Sequence, residues 1–200
     1  MPLVNQTELI RAALAGEVVS FPTDTVPALA VIPSQAALIF QLKQRPQNKP
    51  LILMAASEEE LWRFVQGTPN ELAIWQQMAH KYWSGALTLV LPASEQVPPG
   101  VNSTQSNSIG IRVPDFPIAQ AILQATGVLA TTSANLSGKP ALETMAEISA
   151  AFPQVYVLKD VPGGIKQKIG HGLPSTVIQW TGDNWQILRK GIIDIDIVES

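Results

Sequence analysis

The chain has 200 residues, of which 46% are hydrophobic and 14% charged, so it can bury about 70% of its unfolded surface and is not intrinsically disordered. A net charge of −3 argues against a protein that coats nucleic acid, and the absence of cysteine excludes disulfides and thiolate nucleophiles. The longest apolar run, 51–56, is far shorter than the ~20 residues of a membrane span, and no signal-like leader begins the sequence. We therefore expect a cytoplasmic protein with no membrane partner.

Helix and strand patterns alternate in the first half of the sequence. Thr7 is the expected N-cap of a first helix, which Gly16 ends. Apolar runs predict strands at 18–21, 28–32 and 51–55, with a helix at 36–43 between the last two. Ser57 with Glu60, and Thr68 with Pro69 and Glu71, have the spacing of capping boxes, so each pair predicts the start of a further helix.

The second half continues the alternation and ends in a hairpin. Strands are predicted at 86–91, 108–113, 128–132 and 155–158, and helices at 116–125 and 143–152. Two last strands, 176–180 and 186–189, flank a Thr-Gly-Asp-Asn loop at 181–184 that is typical of a hairpin. The sequence predicts a single α/β domain spanning 1–200 with a mixed sheet, and the pattern of 192–198 fits either helix or strand.

Candidates for a metal site are few. His80 and His171 are the only histidines, and neither has carboxylates at ligand spacing, so no protein metal site is expected. His80 is expected at the surface. The glycines around His171 lack the third glycine of a dinucleotide-binding loop and run into a strand, so that function is not assigned to them.

Polar and cationic groups concentrate in the turns that follow strands or helices. These segments are FPTDT at 21–25, KQRPQNKP at 43–50, Arg112 at the end of its strand, and TTSANLSGKP at 131–140. Because ligands of open α/β sheets bind beside the carboxyl ends of strands, we expect these segments to share one cleft.

Each segment also has a purely structural interpretation. The cations of KQRPQNKP either bind phosphate or interact with a helix C-terminus, and the hydroxyls of TTSANLSG either bind an anion or cap the backbone. Arg112 lies between Ile111 and Val113 and is expected to face away from them, toward a ligand carboxylate or a structural partner in Asp115. Asp24 is expected to cap its own turn.

Six segments together resemble the YrdC-like threonylcarbamoyl-AMP synthase family, in its short single-domain form. They are FPTDTV, LKQRPQNKPLILMAA, IGIRVPDFP, TTSANLSGKP, PSTVIQW and ILRKG, which follow the family's order over almost the whole chain. The resemblance implies a three-layer α/β fold with a twisted mixed sheet, helices on both faces and a locally basic cavity. It also implies synthesis of L-threonylcarbamoyl-AMP from L-threonine, bicarbonate and ATP with release of pyrophosphate, the first step of tRNA threonylcarbamoyladenosine modification.

The resemblance also implies roles for individual residues. L-Threonine would be held by Thr25, Arg112, Ser133 and Ser175. ATP would be held by Arg45, Lys49, Ser108, Asn135, Thr144 and Arg189. Lys43 and Arg45 would act in catalysis by neutralising the triphosphate and the leaving pyrophosphate. Because these segments contain few acids, Mg²⁺ would be held mainly by the ATP phosphates, and transient contact with tRNA or the downstream threonylcarbamoyl transferase is expected.

The chain departs from the family pattern at two turns. Pro27 and Ala28 replace an aromatic residue and a glycine, and Ser84 and Ala86 flank the glycine of what is usually a Pro-Gly-Pro turn. These changes motivate a second hypothesis, a divergent relative that binds nucleotide or RNA in ribosome or tRNA metabolism without catalysis. Carbamoyl transfer, as in domains of hydrogenase-maturation proteins, is a third, although the accompanying zinc-binding and acylphosphatase-like segments are missing.

Overall fold

The computed structural model describes residues 3–44, 50–102 and 107–195. Among these residues there are five α-helices: α1 Gln6–Leu14, α2 Ala37–Lys43, α3 Pro69–Tyr82, α4 Pro117–Thr126 and α5 Met145–Ala151. There are ten strands: β1 Leu3–Val4, β2 Val19–Phe21, β3 Ala28–Val31, β4 Ile52–Met54, β5 Leu87–Pro92, β6 Ser108–Arg112, β7 Leu129–Ser133, β8 Tyr156–Leu158, β9 Thr176–Trp180 and β10 Trp185–Arg189.

All ten strands join one mixed sheet in the order β1-β8-β2-β3-β7-β4-β6-β5-β9-β10. Four neighbouring pairs are parallel: β1 with β8, β8 with β2, β4 with β6, and β5 with β9. The other five pairs are antiparallel. The predicted α/β class and mixed sheet are therefore confirmed.

Helices α1 and α5 cover the β2–β8 part of the sheet through their apolar faces. Helix α1 buries Leu9 and Ala13 and packs against α4 and β8, while α5 packs against β8 and β2. All four residues of β3 are buried, as expected for a central strand with both faces covered. Burial of these apolar side chains is the main favourable contribution to folding.

Of the helix starts predicted at Thr7, Ser57 and Thr68, the one at Thr68 is confirmed and the other two are wrong. Thr68 caps α3 with Glu71 in a capping box and Pro69 in the first turn, as predicted. The N-cap of α1 is Asn5 rather than Thr7, because the Asn5 side chain accepts a hydrogen bond from the Glu8 backbone N–H, and Glu8 accepts one from that of Asn5.

The helix predicted after Ser57 is wrong. The chain there forms turns and one 3-10 turn at Trp62–Phe64. Val65 is already extended and forms a β-bridge with Ala93, so the helical geometry ends after this single turn.

The C-terminal hairpin is confirmed, with β9 and β10 paired around the 181–184 loop. Strand β1 was not predicted, because two residues are too short to show a period of alternation. Residues 190–195 form neither a helix nor a strand.

Candidate functional site

A cavity of about 770 Å³ lies over one face of the sheet between β7 and β9. Its floor is formed by alternate residues of five strands: Ile52, Met54, Thr88, Val90, Ser108, Gly110, Arg112, Thr131, Ser133, Val177 and Gln179. Alternate residues of a strand point to the same side, so the floor is the sheet surface itself. Residues of FPTDT, Arg112 and TTSANLSGKP line this one cavity, so the expectation that they share a cleft is confirmed. The cleft lies over the face of the sheet, and the strand-end loops form its walls.

Gly110 keeps the middle of this floor open. A Cβ atom at this position would lie 2.7 Å from Cγ2 of Ile52 and 3.4 Å from Cγ2 of Thr88. The Ile52 and Thr88 side chains therefore lie close beside Gly110, and any side chain at this position would project into the cavity.

The walls come from loops far apart in the sequence. Thr25 belongs to the β2–β3 loop, Asn135 to the loop after β7, and Ser175 to the loop before β9, while Arg189 ends β10. Seven of the predicted substrate-binding residues line this one cavity: Thr25, Ser108, Arg112, Ser133, Asn135, Ser175 and Arg189. No aspartate or glutamate is among the described residues that line it.

Arg112 is buried and held by three protein groups. Its Nε donates to the Gly85 carbonyl at 3.0 Å, Nη1 to Thr25 Oγ1 at 2.9 Å, and Nη2 to Asp24 Oδ1 at 2.5 Å. Burial lowers the pKa of Arg112, and the charge of Asp24 opposes that shift. An arginine has five N–H donors, so two remain for a ligand.

Two expectations for the acids near Arg112 are wrong. Its partner is Asp24 rather than Asp115, which is exposed. Asp24 does not close its own turn either, because the Thr23 hydroxyl does so by donating to the Val26 carbonyl at 2.7 Å. The expectation that Arg112 faces away from its neighbours holds, since Ile111 and Val113 are buried in the core while Arg112 lines the cavity.

The Thr25 hydroxyl has a defined polarity. The Thr23 hydroxyl donates its one proton to the Val26 carbonyl, so the Thr25 hydroxyl must be the donor in the 3.1 Å bond between the two hydroxyls. Thr25 Oγ1 also accepts from Arg112. One lone pair therefore remains, and Thr25 offers an acceptor, not a donor, to a ligand.

Arg189 is anchored to the loop before β9. Its Nε and Nη2 donate to the Ser175 carbonyl at 3.2 and 2.9 Å, and Nη2 also donates to Ser175 Oγ at 3.2 Å. Burial lowers the pKa of Arg189. Its charge also lowers the pKa of Arg112, as expected for two cations that line one cavity.

Lys43 lies behind the wall formed by the loop after β7. Its ammonium group is buried and donates to Thr132 Oγ1 at 3.2 Å, the Ser133 carbonyl at 2.5 Å and Asn135 Oδ1 at 3.1 Å. Lys43 is not among the described residues that line the cavity. Its catalytic function stays a prediction, and in this structure its charge orders the loop.

Asn135 has its full hydrogen-bonding capacity in use. Oδ1 accepts from Lys43 and from Ser133 Oγ, while Nδ2 donates to the carbonyls of Leu136 and Lys139. A nucleotide contact through this side chain therefore requires exchange of one of these bonds.

Three further predicted ATP ligands are Thr144, Arg45 and Lys49. Thr144 is not among the described residues that line the cavity; it caps α5 in a capping box with Glu147. Arg45 and Lys49 lie outside the described residues. The functions of these three residues stay predictions.

The residues that sequence reasoning missed include Thr88, which lines the cavity, and Gly170, which packs against the lining residue Thr25. Thr88 lines the floor, and its hydroxyl contacts that of Ser175 at 2.8 Å; only its position in an alternating strand would have indicated this. Gly170 has a φ of +69°, and a Cβ there would lie 2.1 Å from the Thr25 carbonyl oxygen. The adjacent His171 backbone N–H donates to that same oxygen at 3.1 Å. The glycines around His171 thus fit the wall of the cavity against the FPTDT turn.

The departure at Pro27 and Ala28 causes no backbone strain. Ala28 begins β3 and pairs with Ser133, and Gln44 is the one non-glycine residue in the described chain with a positive φ. The Pro27 carbonyl accepts from the Ala134 N–H at 3.0 Å. Extended backbone suits both residues.

Within the described ranges, no group of three or more His, Cys, Asp or Glu side chains is placed to hold a metal ion. The cavity lining therefore does not provide a ligand set for Mg²⁺. Separately, none of the helices in the described parts of the chain is long and apolar enough to cross a membrane.

The fold and cavity define an α/β protein whose cavity is lined by two arginines and, among the described residues, by no acidic side chain. The chain belongs to the Sua5/YciO/YrdC family, whose model carries the description "Telomere recombination" and matches residues 11–191.

Its relatives include two threonylcarbamoyl-AMP synthases from Vibrio species. The Vibrio campbellii protein is 38% identical over 94% of this chain and 99% of its own length. The Vibrio parahaemolyticus protein is 40% identical over 72% of this chain and 79% of its own length. Pyrococcus abyssi Sua5, solved in complex with L-threonine, matches with a TM-score of 0.80 and 31% identity over 94% of this chain. This chain spans about half of the Sua5 chain, 55% of its length.

Proposed function

We propose that this protein synthesises L-threonylcarbamoyl-AMP from L-threonine, bicarbonate and ATP, with release of pyrophosphate, as the first step of tRNA threonylcarbamoyladenosine modification in the cytoplasm. The observation that carries the proposal is the convergence of Arg112 and Arg189 in one cavity whose described lining has no acidic side chain. Relatives named for this activity, 38% and 40% identical to the chain, support it.

The polarity of the groups near Arg112 suits an α-amino acid. The two remaining N–H donors of Arg112 suit the carboxylate, since charge-assisted bonds to a guanidinium are strong and directional. Thr25 retains only acceptor capacity, which suits the amine N–H. The complex of Pyrococcus abyssi Sua5 with L-threonine supports the same substrate for this chain.

The triphosphate would lie toward Arg189 and Ser108, which line the same cavity. The buried ammonium group of Lys43, from α2, donates to Ser133 and Asn135 at the start of the loop after β7, so this wall of the cavity is also electropositive. Arg45 and Lys49 follow α2 in the sequence and are proposed to complete the phosphate contacts. Mg²⁺ would enter with ATP, held by phosphate oxygens and water.

The chemistry requires position and positive charge from the protein. The threonine amine and bicarbonate condense to a carbamate with loss of water. A carbamate oxygen then attacks the α-phosphorus of ATP, and the bond to the β-phosphate oxygen breaks to release pyrophosphate. The reacting atoms all belong to substrates, so the protein acts by aligning them and by neutralising charge on the phosphates. Transfer of the threonylcarbamoyl group to tRNA would require a separate transferase.

Pyrophosphate release tests the proposal. Purified protein is incubated with ATP, Mg²⁺, L-threonine and bicarbonate, and parallel reactions omit threonine or bicarbonate. We expect release only in the complete mixture. Release that ignores either omission would contradict the proposal, and binding of ATP without any release would favour the divergent nucleotide- or RNA-binding relative.

A further inference from the structure

The hydroxyls of Thr88 and Ser175 form a buried pair in the cavity. The two oxygens are 2.8 Å apart, and both side chains are more than nine-tenths buried and line the cavity. Two hydroxyls carry two protons, and the bond between them uses one. Neither hydroxyl donates to any other acceptor in the described chain. One proton of the pair therefore remains for a ligand.

Arg189 determines which hydroxyl keeps that proton. Its guanidinium can only donate, so Ser175 Oγ accepts the 3.2 Å bond from Arg189 Nη2. A positive charge beside Ser175 Oγ makes this hydroxyl the better donor, which directs its proton to Thr88. The proton left over is therefore that of Thr88.

Thr88 and Arg112 present donors to the same part of the floor. Strands β5 and β6 are antiparallel, with Leu89 paired with Ile111 and Val90 with Gly110. Continued by one residue, this register places Thr88 opposite Arg112. Cγ2 of Thr88 is 3.4 Å from the position of a Cβ on Gly110, which places the Thr88 side chain on the cavity face. The Thr88 hydroxyl and the two remaining N–H groups of Arg112 thus belong to residues that lie opposite one another and line the same cavity.

We propose that Thr88 is a specificity-determining residue that donates its hydroxyl proton to one oxygen of the substrate carboxylate while Arg112 binds the other. This inference rests on the proposed function, because it takes the amino acid carboxylate as the ligand. A buried donor without an acceptor is costly, and an anionic oxygen is the acceptor that relieves that cost best. The chain of bonds that begins at Arg189 runs through Ser175 to Thr88, which lies opposite Arg112 in the β5–β6 register.

The test compares Thr88→Val, which removes the hydroxyl but keeps the branched shape, with Thr88→Ser, which keeps the hydroxyl. Calorimetry measures the Kd of each for L-threonine, for ATP, and for (R)-1-amino-2-propanol, the analogue of L-threonine that has no carboxylate group. We expect Thr88→Val to bind L-threonine about 10-fold or more weakly, with its affinities for ATP and (R)-1-amino-2-propanol unchanged. Thr88→Ser is expected to stay within about 3-fold of the unsubstituted protein for all three. Thermal melting checks folding, and Thr88→Ala takes the place of Thr88→Val if that variant does not fold.

Two outcomes overturn the inference while leaving the proposed function intact. One is an unchanged Kd of Thr88→Val for L-threonine. The other is an equal loss of affinity for L-threonine and (R)-1-amino-2-propanol, which would place the hydroxyl against another part of the amino acid. Absence of L-threonine binding and of pyrophosphate release in the unsubstituted protein would instead be a failure of the proposed function itself.

Discussion

The buried Arg112 forms an ion pair with the partly buried Asp24 across 88 positions of the sequence, with Asp24 Oδ1 at 2.5 Å from Arg112 Nη2. The pair joins the β2–β3 loop to β6 and holds the guanidinium over the cavity floor. Its geometry leaves two N–H groups of Arg112 for a ligand. The same aspartate thus fixes the position of the arginine and compensates its charge.

Removal of the Asp24 carboxylate should destabilise the fold. Asp24→Ala leaves the Arg112 charge buried and uncompensated, so we expect the free energy of unfolding to fall by about 3 kcal/mol in urea denaturation. Asp115→Ala is the matched control because Asp115 is exposed and near Arg112 in sequence, and we expect a change within about 0.5 kcal/mol. Equal effects of the two substitutions would contradict the assignment of Asp24 as the partner.

Truncation of the Arg112 side chain should weaken the binding of L-threonine. Because charge-assisted hydrogen bonds contribute about 1.5–3 kcal/mol, Arg112→Ala is expected to raise the Kd for L-threonine about 10- to 150-fold. Arg63→Ala is the control, since Arg63 is an exposed arginine that contacts Phe64 and is not among the described residues lining the cavity. Calorimetric titration measures both. An unchanged Kd for Arg112→Ala would leave Arg112 with a structural function only.

Local signals in the sequence predicted most of the elements, because caps and alternation depend on near neighbours. The Thr68 capping box and the loop at 181–184 are examples. The layout of the site depends on register between strands, which no local signal contains. Whether Thr88 faces the cavity or the core, and whether Arg112 meets Asp24 or Asp115, is decided by the pairing of β5 with β6 and by the path of the β2–β3 loop.

The resemblance of six segments to one family therefore carried information that periodicity did not. It predicted that loops as distant as those of Thr25, Asn135 and Arg189 would meet, and the cavity contains all three. It did not show that Asn135 uses all its hydrogen bonds within its loop, because that depends on the exact turn after β7.

Gly170 should tolerate no side chain. Gly170→Ala combines a positive φ with a Cβ 2.1 Å from the Thr25 carbonyl oxygen, so we expect a loss of about 2–4 kcal/mol of stability and weaker L-threonine binding. Gly164→Ala isolates the backbone effect, because its φ is +83° and nothing lies within 4 Å of the added Cβ. We expect this control to lose only about 1 kcal/mol and to bind L-threonine normally. Chemical denaturation and calorimetry measure the two quantities, and identical behaviour of the two variants would contradict the close packing at Gly170.

Acid should weaken the fold in part through Glu71, which closes the capping box of α3. The backbone N–H of Thr68, the indole of Trp180 and the Thr68 hydroxyl donate to this carboxylate and hold its pKa below the usual 4.5. A carboxylate whose pKa is lower in the folded state stabilises the fold fully above its unfolded pKa. That contribution declines as the pH falls below about 4.5 and is lost once the pH passes the lower, folded pKa.

Glu71→Gln tests this pH dependence because its amide does not titrate. We expect the variant to be less stable than the unsubstituted protein at pH 7, and the difference to shrink as the pH falls from 5 to 3, in urea denaturation at each pH. Glu17→Gln is the control, since the exposed Glu17 carboxylate accepts no hydrogen bond from the described residues, and its profile should follow that of the unsubstituted protein. A difference between Glu71→Gln and the unsubstituted protein that stays constant across this pH range would mean that the Glu71 carboxylate contributes through its shape and not through its charge.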